Sequence, residues 1–288
     1  MSEKPPADPL AHRTIPLYQT KGQLYQHKTT LLSVQPLSSL PEETRALFKP
    51  PTTQAQDGIA PAGESLPEPH VLSVSETIFH AQGGGQPSDL GTMTTTDDDN
   101  DDTKGATVFT VHQVRSLPTG AILHMGLFPL LLLHPLPLLL LPRPPTSTKP
   151  SPSPSASSTR GSTPPATTIT DSKASHYPSA AHVLFTGAIP STLVPTIQAT
   201  VDDLVAQDLA VNIAFWDEDR ARRECLGVEE GMELKGDEVM GVRVVDMGGK
   251  GSYPCGGTHV ERLGEVGKVV VKGVKRSKGV SRISYDVV

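Results

Sequence analysis

The sequence predicts an α+β fold with a small β-barrel-like domain first and a two-layer α+β domain last. Three observations predict it. Short β-rich runs broken by turn-formers fill the first half, with no helical periodicity of comparable length. The last third mixes strand-like runs with one clearly amphipathic stretch. Between them, eleven of the chain's 28 prolines crowd into Phe128–Lys173, a density that no packed core accommodates. The expected organisation is therefore 1–126, β-rich; 127–173, low-complexity; and 174–288, α+β.

In the first part, Arg13–Thr20, Lys28–Val34, His70–Phe79 and Ala106–Val114 read as strands, at a spacing that suits a small barrel or curled sheet. Ser38–Pro67 is polar and proline-containing, and Thr94–Asp102 (TTTDDDNDD) is acidic, so both read as surface loops. Leu127–Pro142 carries ten leucines in sixteen positions, but its four prolines and its length argue against a membrane span, which needs about 20 apolar residues. It runs into a Ser/Thr/Pro stretch whose composition predicts no stable fold through Lys173.

Order is expected to return at Ser175, with His182–Thr186 a strand. Ser191–Leu209 reads as a helix because Ile197, Val201, Leu204, Val205 and Leu209 recur at three- and four-residue spacing and Pro195 suits a first turn. Val211–Trp216 is strand-like, Asp217–Cys225 is a short charged helix, and Val242–Met247, Val266–Val274 and Val280–Val287 are strands.

Two cysteines, and an opening MSEKPPADP with neither basic n-region nor apolar h-region, predict a cytoplasmic protein with reduced thiols available as metal ligands. A formal charge of −6 gives no sign of general nucleic-acid binding. Charge is nonetheless segregated: Arg262–Arg282 holds seven Lys or Arg and one acid, Glu265. A neutral solvated face would mix signs, so this one suits phosphate contact as well as plain solvation.

Two motifs carry chemistry. Cys255-Gly256-Gly257-Thr258-His259 places two zinc-type ligands four residues apart, although a buried cysteine beside a turn histidine has the same spelling. Gly83-Gly84-Gly85-Gln86, within IFHAQGGGQPSDLG, spends three consecutive glycines where a tight turn needs one or two. It reads either as a backbone N–H cradle with Gln86 as a hydrogen-bonding side chain, or as an open loop between strands.

Together, GGGQPSDLG and CGGTHV resemble the freestanding alanyl-tRNA editing proteins, the AlaX family, related to the editing domain of alanyl-tRNA synthetase. The likeness continues through SHYPSAAHVLFTGAIP, Val242–Val260 and GVKRSKGVSRISY. It implies a zinc-dependent aminoacyl-tRNA deacylase that removes serine or glycine from alanine tRNA. Cys255 and His259 would then be metal ligands, Gly83, Gly84, Gly85, Gln86 and Thr258 would face substrate, and Lys272, Lys275, Arg276, Lys278 and Arg282 would contact tRNA.

The resemblance also implies a second ligand pair, H-x-x-x-H on a helix, and this sequence has none. His112, His124, His134, His176 and His182 have other spacings. The pair would fall in the proline-rich segment. Read one base out of register, Thr159–Thr167 can encode His-Ser-Arg-Leu-His-Thr-Ala-Gly-His, hiding histidines at Thr163 and Thr167. A retained intron or a genuine insertion are the competing explanations. With two ligands, a catalytic or structural zinc site is half complete. The expectation is impaired hydrolysis, with a non-catalytic tRNA-binding relative as the alternative.

Overall fold

The structure is a computed structural model that describes residues 10, 12–49, 67–94, 107–128, 169–178, 180–229, 231–237 and 240–288. The chain divides into two compact units, Met1–Gln82 with Ser88–Ser147, and Gly83–Pro87 with Thr148–Val288.

The first unit contains β1 (Ile15–Pro16), β2 (Leu31–Pro36), the single turn α1 (Glu42–Arg45), β3 (His70–Val74), β4 (Glu76–Thr77), β5 (Gly91–Thr94), β6 (Val108–Ser116) and β7 (Ile122–Leu127). Five strands pair in the order β2-β3-β7-β6-β5. The barrel expectation is corrected here: β2 and β5 are sheet edges, and among the described residues no pairing closes them. A four-residue β5 offers too short a ladder to carry a barrel seam. Ile122–Leu127, which the sequence analysis did not single out, is the central strand, with five consecutive buried residues of no alternation. A strand covered on both faces loses the period-2 signal.

One side of this sheet packs Leu72, Phe109, Val111, Val114 and Ile122, and the other Val71, Leu123 and Met125. Leu40 and Phe48 join the second cluster, and Thr44 is buried, so the first part of the expected Ser38–Pro67 loop is a core-forming turn instead. Arg13–Thr20 is likewise not one strand. Pro16 lacks the N–H a ladder requires, and Leu17–Gln19 turns into a 3₁₀ helix. The acidic Asp97–Asp102 lies outside the described residues.

The second unit contains β8 (Thr170–Ser175), β9 (His182–Thr186), α2 (Val194–Gln207), β10 (Val211–Trp216), α3 (Glu218–Glu224), β11 (Gly236–Asp237), β12 (Gly241–Met247), β13 (Ser252–Pro254), β14 (Val269–Ser277) and β15 (Val280–Val287). One sheet runs β14-β15-β9-β8, and another runs β10-β12-β11 with β13 also on β12. The unit is α+β. Phe185, Val201, Val266, Val269, Ile283 and Tyr285 form the core beneath the first sheet, with Val194 and Ile197 of α2 packed against it. Asp217 caps α3 by accepting from Arg220 N at 2.8 Å.

Thr170–Lys173 corrects the expected loss of structure through Lys173, because these residues pair with Thr186–Leu184 of β9. β8 is polar (TDSKAS) because it is an edge strand with one exposed face, so composition hid it. Phe128 is also placed, against Phe109, with ring centroids 4.9 Å apart. The Leu/Pro tract beyond it, His134, and the positions of Thr163 and Thr167 lie outside the described residues. Among the described residues no helix is long and apolar enough to cross a membrane.

Candidate functional site

The two motifs meet within the second unit, although 172 residues separate Gln86 from Thr258. Gly83-Gly84-Gly85-Gln86 is a tight two-residue turn. Gly83 N donates to Gln86 O at 3.2 Å and Gln86 N to Gly83 O at 2.8 Å, with φ of +55° at Gly84 and +82° at Gly85. Two of the amides that could have cradled an anion are thus spent inside the turn.

Gly85 has a second requirement. Its carbonyl accepts from His176 N at 2.9 Å, and a Cβ on Gly85 would lie 2.1 Å from Ala174 O. The turn therefore rests on the end of β8 at backbone distance. Gln86, 7% exposed, projects from it and spends its amide on Thr258: Nε2 donates to Thr258 Oγ1 at 2.6 Å, and Thr258 N donates to Oε1 at 3.2 Å. Gly257 makes room for this, since a Cβ there would sit 2.6 Å from Gln86 Oε1. A buried primary amide offers two donors and two acceptor positions, so one of each remains for a ligand.

The CGGTH segment is positioned from below by β12. The β12–β13 hairpin turns at Gly248-Gly249, where the Asp246 carboxylate accepts from Gly249 N at 3.1 Å and from Ser252 Oγ at 3.0 Å. β13 then delivers Cys255, whose N donates to Arg243 O at 3.1 Å. The Arg243 guanidinium, 6% exposed, donates through Nη1 to Cys255 O. Sequence reasoning missed Arg243; its signal is an arginine among valines in a strand, V-R-V-V, where a buried charge requires a reason.

Held this way, Cys255 Sγ and His259 Nε2 are 3.2 Å apart. The i, i+4 spacing brings the two side chains to one point, as ligation would require. Among the described residues no group of three or more His, Cys, Asp or Glu could hold a metal ion. Zinc takes three protein ligands plus water in catalytic sites and four in structural ones, so the described donor set does not complete a zinc site.

Three other described histidines have different surroundings. His124 is fully buried in the first unit, its Nε2 2.8 Å from Thr77 Oγ1 and Nδ1 3.3 Å from Leu72 O, and burial pushes its pKa down to about 4. His112 is the extra residue of a β-bulge in β6, its pKa lowered by burial. His176 sits next to the glycine turn. Its Nδ1 is 2.7 Å from Tyr285 Oη, and burial, then the charge of nearby His182, lowers its pKa. A hydrogen-bonded path thus runs Tyr285–His176–Gly85–Gln86–Thr258.

The basic candidates separate into groups. Lys272 pairs with Asp286, Lys275 and Arg282 stand on the outer face of the sheet, and Arg276 and Lys278 lie at the β14–β15 turn beside Gly187 and Ala188. Arg262, also in the basic run, has a structural partner: its Nε is 2.6 Å from Asp208 Oδ2, which lowers the Asp208 pKa.

Part of this site lies in a region similar to known proteins. A family model for the threonyl and alanyl tRNA synthetase second additional domain matches residues 242–284, from β12 through Cys255 and His259 into β15. The alanine–tRNA ligase of Methanopyrus kandleri is 34% identical over 91 residues, 31% of this chain and 10% of that protein. That of Neisseria meningitidis is 35% identical over 88 residues, 30% and 10% respectively. The matched part of the chain spans about a tenth of the length of these curated relatives. Through this region the chain is related to the second additional domain of threonyl and alanyl tRNA synthetases, the editing domain of alanyl-tRNA synthetase.

Proposed function

We propose that the second unit is an editing-type module that binds the aminoacylated end of a tRNA, alanine tRNA in the first instance, as a freestanding protein of the AlaX kind. The observation that supports this best is the doubly hydrogen-bonded Gln86–Thr258 pair, which fuses the glycine turn to the CGGTH segment. Such a pair orients the amide rigidly and leaves it one donor and one acceptor for the esterified amino acid or its ribose. Gly84, where an added Cβ would meet nothing within 4 Å, keeps the approach open at backbone level, while Gly83 and Gly85 form the turn that carries Gln86. Lys275, Arg276, Lys278 and Arg282 supply cations for tRNA phosphates, whereas Lys272 is already paired with Asp286.

Cys255 and His259 are half of a zinc-binding set, and a bound zinc would supply Lewis-acid polarisation of the ester. The sequence has no H-x-x-x-H pair to complete that set, so hydrolysis by this chain is expected to be weak. The lack of an H-x-x-x-H pair in the sequence favours a second reading, a non-catalytic tRNA-binding relative. Both are tested with purified full-length chain, seryl- and glycyl-tRNA specific for alanine, and a zinc assay. Hydrolysis above the uncatalysed rate that is lost in Cys255→Ser supports the deacylase. Binding of the charged tRNA without hydrolysis supports the non-catalytic relative, and failure to bind it ends both readings.

A further inference from the structure

The outer face of the β14-β15-β9-β8 sheet carries an arrangement that strand pairing disfavours. Lys275 and Arg282 are directly opposite one another in the β14–β15 ladder. Like charges in that relation repel and destabilise a sheet. Arg282 is also level with Leu184 on β9, and Leu184 is level with Lys173 on β8. Val183, Ile283 and Ala174 point to the core, so by alternation Leu184, Arg282 and Lys173 face outward. One cross-strand row therefore reads Lys275–Arg282–Leu184–Lys173, with all three cations exposed. At ordinary strand spacing it is about 14 Å long.

Among the described residues no acid neutralises this row. Asp286 lies further along β15 and is occupied by Lys272 at 2.5 Å. Among the described residues no carboxylate forms an ion pair with Lys173, Lys275 or Arg282. Arg282 instead turns to His182, with Nη2 3.1 Å from Nδ1. The next row along the same face is Gly273–Ser284–His182–Ser175, which places hydrogen-bonding side chains beside the cations. A groove of about 460 Å³ runs between Lys272, Lys275, Arg282, Ser284 and Ala180. Tyr177, in the turn joining β8 to β9, is exposed.

We infer that this row is a track for a phosphodiester strand, crossing the sheet perpendicular to its strands from the β14–β15 hairpin to β8. Cations fixed on one sheet face, serine hydroxyls in the adjacent row and an exposed tyrosine in the β8–β9 turn suit RNA backbone better than an acidic peptide. The track deepens the tRNA-binding reading and rests on it for the identity of the RNA. It adds Lys173 and removes Lys272, which Asp286 already satisfies. Binding is independent of base sequence and of any amino acid on the RNA.

The test uses the full chain with an unacylated tRNA transcript and a labelled single-stranded RNA, with affinity followed from 50 to 200 mM salt. Lys173→Gln, Lys275→Gln and Arg282→Gln should each lower the slope of log affinity against log salt by about 0.7, and the triple variant by about 2. Across that salt range, the fall in affinity of the triple variant should be roughly twentyfold smaller than that of the parent chain. The charge-neutral double change Lys272→Gln with Asp286→Asn should leave the slope unchanged. Each row variant should melt no lower than the parent, because repulsion in the row is relieved. An intact track in a chain that hydrolyses nothing would leave the inference standing, since neither RNA carries an ester. The inference is overturned if Arg276→Gln with Lys278→Gln takes the slope instead, if RNA does not bind, or if polyglutamate binds in its place.

Discussion

His124 and His259 show what two environments make of one side chain. His124 sits in a strand covered on both faces, with a neighbour at each ring nitrogen, and burial holds it neutral down to about pH 4. His259 is only partly buried, and its Nε2 meets a cysteine sulfur at 3.2 Å. The first is a core residue that happens to be polar. The second lies on a segment fixed by Arg243 from one side and Gln86 from the other. The lesson is that a histidine becomes a candidate ligand through a second soft donor at the same point, and burial alone works against it.

The largest expected effect concerns the incomplete half of that contrast. A chain whose 159–167 codons are shifted by one base, encoding histidines in place of Thr163 and Thr167, should gain zinc affinity by orders of magnitude over the chain as it stands. Zinc per chain, measured on both proteins after dialysis against metal-free buffer, checks this. Stoichiometric zinc in the unshifted chain would show that another residue completes the set.

The glycine turn is tested by two substitutions. Gly85→Ala combines a positive φ with a Cβ driven to 2.1 Å from the Ala174 carbonyl, where no flexible side chain can yield. The turn should leave β8, and the variant should lose about 2 kcal/mol or more in denaturant unfolding of the second unit. Gln86→Ala leaves Thr258 without its partner and should cost about 1–2 kcal/mol. Protection of the Thr258 amide against hydrogen exchange should fall with it.

The third prediction tests His124 as the structural member of the pair. Its folded pKa of about 4 lies below the unfolded 6.5, so between these values the unfolded state binds more protons. Stability from this group is therefore full above about pH 6.5 and is lost as pH falls towards 4, by about 3 kcal/mol in all. His124→Gln should flatten that part of the acid-unfolding profile of the first unit. An unchanged profile would show that burial at this site is not what holds the ring neutral.

The smallest effect is expected at Arg262, whose exposed pairing with Asp208 is screened by solvent. Arg262→Ala should leave melting almost unmoved and RNA binding unchanged. A clear loss of RNA affinity would move Arg262 into the basic surface and blur its separation from the Lys173–Lys275–Arg282 row.

Local periodicity and capping determined much of the second unit by themselves. Val211–Trp216 and Val280–Val287 were legible residue by residue, and the stripe through Ile197 and Val201 fixed which face of α2 is inward. The two motifs could also be named, because the glycines and the Cys-His spacing are local chemistry. Tertiary structure alone decided that Gln86 would spend its amide on Thr258, that Arg243 would be buried under Cys255, and that Lys173 would join a row with Lys275 and Arg282. Each of these depends on strand register between distant segments, and a one-residue slip in register would turn every side chain of a strand to the other face. The open first sheet has the same cause. Alternation in single strands says which residues face a core, whereas closure depends on which edge strands are long enough to meet.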